Sequence, residues 1–399
     1  MISLSVTACS FNPHSLENPD ELLPLREDTL VSVPTSAERT TVYASPGLLA
    51  VFHGASCAES NRSGEEIAIR IQEELVLPKE LDQATVVLNG FRLRYLDEDH
   101  HVRFLGTGIG AIEIDRGVLR WEAGGAISDN NFDDGYEWCY TYTVLAWNSL
   151  QLQATVDQGD IGHTFRDMAW THGSSLLPVP GYLNNPAWAG LSEVAILPRG
   201  FAVLGGGDDH HVLQFTYEHD SGEVYVEGKK LYGNFTEAAP ISQVGTGFVS
   251  WESTGLLKDN DLENSQAVLD LVTGLGGPEI ELVAPPFTVA PREDSSGLGC
   301  NILDGSDHMP EFEVQEVPFQ FAIPVLTGWD LSYFCEDEHV TEVGAWIPKW
   351  EWFPGTSPGG GTLRYTVGAS LRDKDGWPGF NQRFQVKILG LRRITAKPR

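Results

Sequence analysis

Long apolar runs are missing from this 399-residue chain, so no segment reads as a membrane-spanning helix. Basic charge is scarce as well. Against 56 Asp and Glu there are 26 Lys and Arg, leaving a formal charge of −30 that argues against nucleic acid and anionic membranes as partners. Lysine is the rarer base, 8 against 18 arginines, a bias that suits a salty habitat or simply keeps a β-rich protein soluble. Cysteine is sparse and odd in number: Cys9, Cys57, Cys139, Cys300 and Cys335 form no CxxC pair. Cysteine-bound structural zinc is therefore not expected, nor is a disulfide framework. The start, Met1-Ile2-Ser3-Leu4, lacks a basic residue followed by an apolar core, so no secretory signal is read. The expectation is synthesis in the cytoplasm, with incorporation into a particle or non-classical release. GxSxG and HExxH motifs are missing too, and no long stretch carries helical amphipathicity.

What is present is a phrase written three times. Gly90-Phe91-Arg92-Leu93-Arg94-Tyr95 leads to Asp99-His100-His101-Val102. Gly200-Phe201-Ala202-Val203 leads to Asp209-His210-His211-Val212, and Gly328-Trp329-Asp330-Leu331-Ser332-Tyr333 to Asp337-Glu338-His339-Val340. Each Asp falls nine residues after its Gly and each His eleven after it. A second phrase follows: Trp121, Trp251 and Tyr365 are each eight residues before Asp129, Asp259 and Asp373. Alternating apolar runs then close each copy (Tyr140, Tyr142, Val144; Ala267, Leu269, Leu271; Phe384, Val386, Ile388). Period-two alternation bounded by Asp, Asn and Gly is a strand signal.

The reading is all-β: three tandem β-sandwich repeats at 61–155, 156–275 and 312–399. Residues 1–60 read as an arm or extra layer, 156–190 as a Trp- and Pro-rich connector within the second unit, and 276–311 as a Pro/Gly-rich linker. The middle copy is longer by about 20 residues, assigned to an added hairpin near 224–234. Apolar parity changes at the opening glycine: Val86 and Leu88 are even, Phe91, Leu93 and Tyr95 odd. A β-bulge there would keep one face apolar.

Three groups of residues are site candidates. Asp99 with His101, Asp209 with His211 and Asp337 with His339 are ligand-binding candidates, because residues two apart on a strand share a face. The competing use is a structural pair in which Asp orients the imidazole. If the repeats pack around a pseudo-threefold axis, their histidines would converge on one ion or anion. A calcium site is possible in the loops Asp129-x-Asn131-x-Asp133, Asp259-x-Asp261-x-Glu263 and Asp373-x-Asp375, although the EF-hand glycine and closing Glu are missing. Trp346, Trp350 and Trp352 would share a strand face and stack on a sugar, but their alignment with Ile112 and Ile114 favours core. His53, Ser56 and Cys57 place base and nucleophile types close together without a recognisable motif, and no enzyme activity is expected.

The Gly-aromatic phrase with its DHHV ending, carried by Leu88, Gly90, Phe91, Asp99, His101 and Val102, resembles a group of bacterial β-sandwich domains. These are similar in layout to H-type lectin domains, which assemble as trimers of one sandwich. The resemblance implies a trimer-like unit from one chain and a non-enzymatic role in recognising a carbohydrate or cell surface. The rival expectation is a structural subunit of a phage or virus-like particle, tail or filament. The partners expected are accordingly a surface glycan or other subunits of an assembly, including copies of itself.

Overall fold

The computed structural model describes residues 39–45, 49–60, 69–97, 100–129, 134–150, 152–163, 179–188, 191, 194–204, 212, 214–220, 224–226, 229–230, 248–258, 264–265, 268–283, 311–333, 339–355, 360–373 and 380–392. Seven strands come from the first part: β1 (Arg39–Ser45), β2 (Leu49–Ser60), β3 (Ile69–Val76), β4 (Gln83–Tyr95), β5 (Phe104–Asp115), β6 (Val118–Ser128) and β7 (Tyr136–Trp147). The middle supplies β8 (Thr155–His163), β9 (Val179–Asn184), β10 (Val194–Leu204), β11 (Gln214–Asp220), β12 (Val224–Val226) and β13 (Lys229–Lys230). It continues with β14 (Phe248–Lys258), β15 (Asn264–Ser265), β16 (Val268–Gly276) and β17 (Ile280–Val283). The last part holds β18 (Glu311–Val317), β19 (Phe321–Tyr333), β20 (Glu342–Pro354), β21 (Gly361–Arg372) and β22 (Phe380–Leu391). The fold is all-β and its sheets are antiparallel; the one helical turn among the described residues is a 3-10 turn at Pro186–Trp188.

The segments do not close their own sheets. A seven-stranded sheet runs β1-β2-β7-β4-β20-β21-β18, joining strands before residue 148 to strands after 310. A six-stranded sheet runs β3-β6-β5-β10-β16-β8, and a nine-stranded sheet carries β14-β11-β19-β22 at its centre. Each glycine-bearing strand thus pairs with a strand of another segment: β4 with β20, β10 with β5, and β19 with β11. The registers correspond. Gly90 lies opposite Trp346, Gly200 opposite Gly108 and Gly328 opposite Glu218, each partner seven residues after the second His position of its own phrase. First binds third, second binds first and third binds second, so the exchange closes on itself.

A bulge lies at Gly90, where the parity change placed it, and the other two phrases repeat it. Pairing slips between Leu88 and Gly90, between Pro198 and Gly200, and between Leu326 and Gly328. Gly90 has φ +145°, and a Cβ there would overlap the Trp346 backbone, so both conformation and close approach demand glycine. The extra residue at each bulge is polar and buried, and each makes a side-chain hydrogen bond. Asn89 Nδ2 donates to Thr143 Oγ1 at 2.7 Å, Arg199 Nη1 to the Gly110 carbonyl at 2.7 Å, and Thr327 Oγ1 to Gln385 Oε1 at 2.9 Å.

The residue after each glycine points inward, and there the sheets meet. Phe91 and Phe201 lie 5.0 Å apart, Phe91 and Trp329 5.2 Å, and Phe201 and Trp329 5.5 Å between ring centroids. Val102, Val212 and Val340 are each fully buried. One continuous apolar core includes residues of all three segments.

Several expectations need correction. Residues 49–60, read as part of an arm or extra layer, form an inner strand: β2 lies between β1 and β7 with Leu49, Ala50, Val51 and Phe52 buried. The connector 156–190 carries β8 and β9, which pair with β16 and β14, and Trp188 is buried against the first of these. The linker 276–311 likewise carries β17, paired with β22. Cys57 and Cys139, opposite each other on β2 and β7, form a disulfide that the odd cysteine count hid. The added hairpin is real: β12 pairs with β13.

Candidate functional site

Of the Asp-x-His candidates, Asp99, Asp209, His211 and Asp337 lie outside the described residues. His101 and His339 are described, and the fold brings their rings to 4.6 Å, edge on. An isolated bridge beside them joins His100 to Val340, with backbone bonds of 3.2 and 2.9 Å. These histidines therefore stand at a seam between the first and third segments. Asn131, Asp133, Asp259, Asp261, Glu263 and Asp375 also lie outside the described residues. Asp129 is buried at the end of β6, and Asp373 follows β21.

The His53 group does not assemble a nucleophile and base. Residues 53 and 56 lie on opposite faces of β2, and Cys57 is consumed by the disulfide. Nδ1 of His53 pairs with Thr143 Oγ1 and Nε2 with the Pro348 carbonyl, both at 3.1 Å. Burial pulls its pKa below the ordinary value of 6.5, so the ring is held neutral. Ser56 donates to Glu73 instead.

The tryptophans divide. Pairing slips between Trp346 and Lys349, so Trp350 and Trp352 sit out of phase with Trp346. Trp350 and Trp352 pack edge-on against Phe321 at 6.0 and 6.1 Å, as the alignment with Ile112 and Ile114 anticipates. Trp346 instead faces outward, half-buried, with its indole across the backbone of Gly368. Its strand neighbours on both sides, Gly90 and Gly368, have no side chain, and Gly344 lies two residues along the same strand. With no side chain on either neighbouring strand, the indole lies directly on the sheet.

Charged groups form a row further along the same strands. Arg372 and Glu342 lie 3.7 Å apart, Arg94 and Glu137 3.3 Å, and Arg92 and Glu137 3.2 Å. Arg372, Glu342, Arg94 and Glu137 are successive cross-strand partners on the outward face of β21, β20, β4 and β7. Arg92 Nη2 also reaches Cys139 Sγ at 3.6 Å, tying the disulfide to the row. Sequence reading missed this surface because its parts lie in separate segments and meet only through the β4–β20 pairing.

A second polar cluster lies where β4 and β7 meet. Tyr95 and Tyr136 face each other across the strands, and both hydroxyls are buried. Tyr136 accepts from the Ile69 amide and donates to the Gly125 carbonyl, each at 3.2 Å. Tyr95 has no hydrogen-bond partner among the described residues. Burial, then the charges of Asp129 and Asp134, raise its pKa well above the usual tyrosine value. Burial alone lifts Tyr365 to about 12. Neither a family model nor a curated protein sequence matches this chain.

Proposed function

We propose that the protein is a non-enzymatic recognition protein that binds carbohydrate on the outward face of the β4–β20–β21 sheet. The observation that carries this reading is Trp346, half-buried over Gly368 on the same strand face as the Arg372–Glu342 and Arg94–Glu137–Arg92 pairs. An indole offers an apolar surface to the C–H face of a sugar ring, while guanidinium and carboxylate groups hydrogen-bond its hydroxyls. Flat sheet placement fits a ligand at a cell surface better than a small molecule enclosed in a cleft.

A glycan array probed with the full chain and with Trp346→Ala tests the reading. Signal confined to one glycan class, weakened at least tenfold by the substitution, supports it. No glycan signal, or signal indifferent to Trp346, overturns it. Gel filtration of the same samples addresses the rival, because self-assembly without glycan binding favours a structural subunit.

A further inference from the structure

We infer that Asp97, His100 and Asp134 form a binding site for a first-row divalent cation, whose bound water the buried hydroxyl of Tyr95 would hold. The three come from two connections. Asp97 and His100 lie between β4 and β5, and Asp134 lies between β6 and β7. Backbone bonds fix both connections: the Leu96 amide donates to Gly135 at 2.9 Å, and His100 exchanges bonds with Val340. The tether matters because a metal site needs donors already brought close.

The donors lie within reach of one ion. His100 Nδ1 lies 3.0 Å from Asp134 Oδ2, and Nε2 lies 3.3 Å from Asp97 Oδ1. One donor atom from each residue falls within 4.8 Å of the others. An ion takes one imidazole nitrogen, so the exposed Asp97 carboxylate must swing from the Nε2 side to the Nδ1 side beside Asp134, where tetrahedral zinc sets its donors about 3.3 Å apart. Imidazole with two carboxylates selects zinc, cobalt or manganese over calcium, which prefers oxygen alone.

Tyr95 supplies the independent observation. Its hydroxyl is buried without a hydrogen-bond partner among the described residues, and its ring packs on His100 at 4.6 Å. Tyr333, at the matching position of the third phrase, has a partner: its hydroxyl donates to the His339 carbonyl at 3.4 Å. A buried hydroxyl without a partner is costly, and water on a bound ion would satisfy it. The buried carboxylate of Asp129 adds negative charge to the same neighbourhood. The cation would lock the β4–β5 and β6–β7 connections together at the seam with the third segment.

The test uses the full chain, stripped with chelator and titrated with ZnCl2 by calorimetry, and with CoCl2 by visible absorption. Wild type is expected to take up a high-affinity equivalent of zinc and to show cobalt d–d bands of nitrogen and oxygen ligation. Asp97→Asn and His100→Gln should each weaken that equivalent at least tenfold. Asp97 is largely exposed, so D97N should melt like wild type in chelator, separating metal loss from misfolding. Tyr95→Phe should keep its stability in chelator yet bind zinc several-fold more weakly. Wild type that takes up no metal, or affinity unchanged in D97N and H100Q, overturns the site and leaves the trio as an ion-paired histidine.

Discussion

Single residues carry three separable demands. His53 is buried neutral, with a pKa below 6.5 because burial disfavours the imidazolium. The unfolded state therefore binds more protons than the folded state once pH falls below about 6.5. Stability from this group is complete above that value and declines as pH drops toward the folded pKa. Chemical denaturation from pH 8 to pH 4 should show this acid limb, and His53→Gln should flatten it. Gly90 makes a conformational demand. Gly90→Ala meets both φ +145° and the Trp346 backbone, and should cost about 3 kcal/mol in urea denaturation. Trp346 makes a surface demand, and its replacement should leave the melting temperature within a few degrees of wild type.

The Gly90 bulge was legible because alternation records which face is buried, and one inserted residue at a glycine shifts that alternation by one. The inward row Tyr140, Tyr142, Val144 was legible for the same reason. Trp346 was not, since three tryptophans at even positions read as one face until the slip before Lys349 divides them. The cluster at Asp97 was equally hidden. Asp134 is 37 residues from Asp97, and alternate acids in a loop point to oxygen-only calcium ligation rather than to the histidine the fold supplies.

At the scale of elements, β2 joins its sheet through pairing with β7 and through the Cys57–Cys139 disulfide across that pair. The cross-link closes a loop between residues 82 apart, which in chain-entropy terms is worth about 4–5 kcal/mol. Cys57→Ser with Cys139→Ser should lower the urea midpoint accordingly, and reducing agent should do the same to wild type but not to the double variant. An equal midpoint with and without reductant in wild type would show that the cross-link contributes nothing. Residues 1–60 read as an arm or extra layer because they do not match the repeated phrase. A strand's membership in a sheet is decided by its partner, and β7 lies about 85 residues downstream of β2.

At the scale of the molecule, the three phrases specify a closed exchange in place of a row of independent sandwiches. Each glycine-bearing strand has one neighbour from its own segment and one from another, and Phe91, Phe201 and Trp329 seal the meeting point. All-β character is written in local alternation, whereas the partner of each strand is set by complementary faces far apart in sequence. Both proposed sites depend on this exchange: Trp346 lies on the β4–β20 pairing, and His100 bridges to Val340.

Removing residues 312–399 strips β4 of β20, β11 of β19 and β17 of β22, and takes away two of the three central aromatic contacts. Calorimetry of the full chain beside residues 1–311 tests the closed exchange most directly. One cooperative transition is expected for the full chain and none for the truncated one. A truncated chain that still unfolds cooperatively, at the temperature of the intact protein, would contradict the closed exchange.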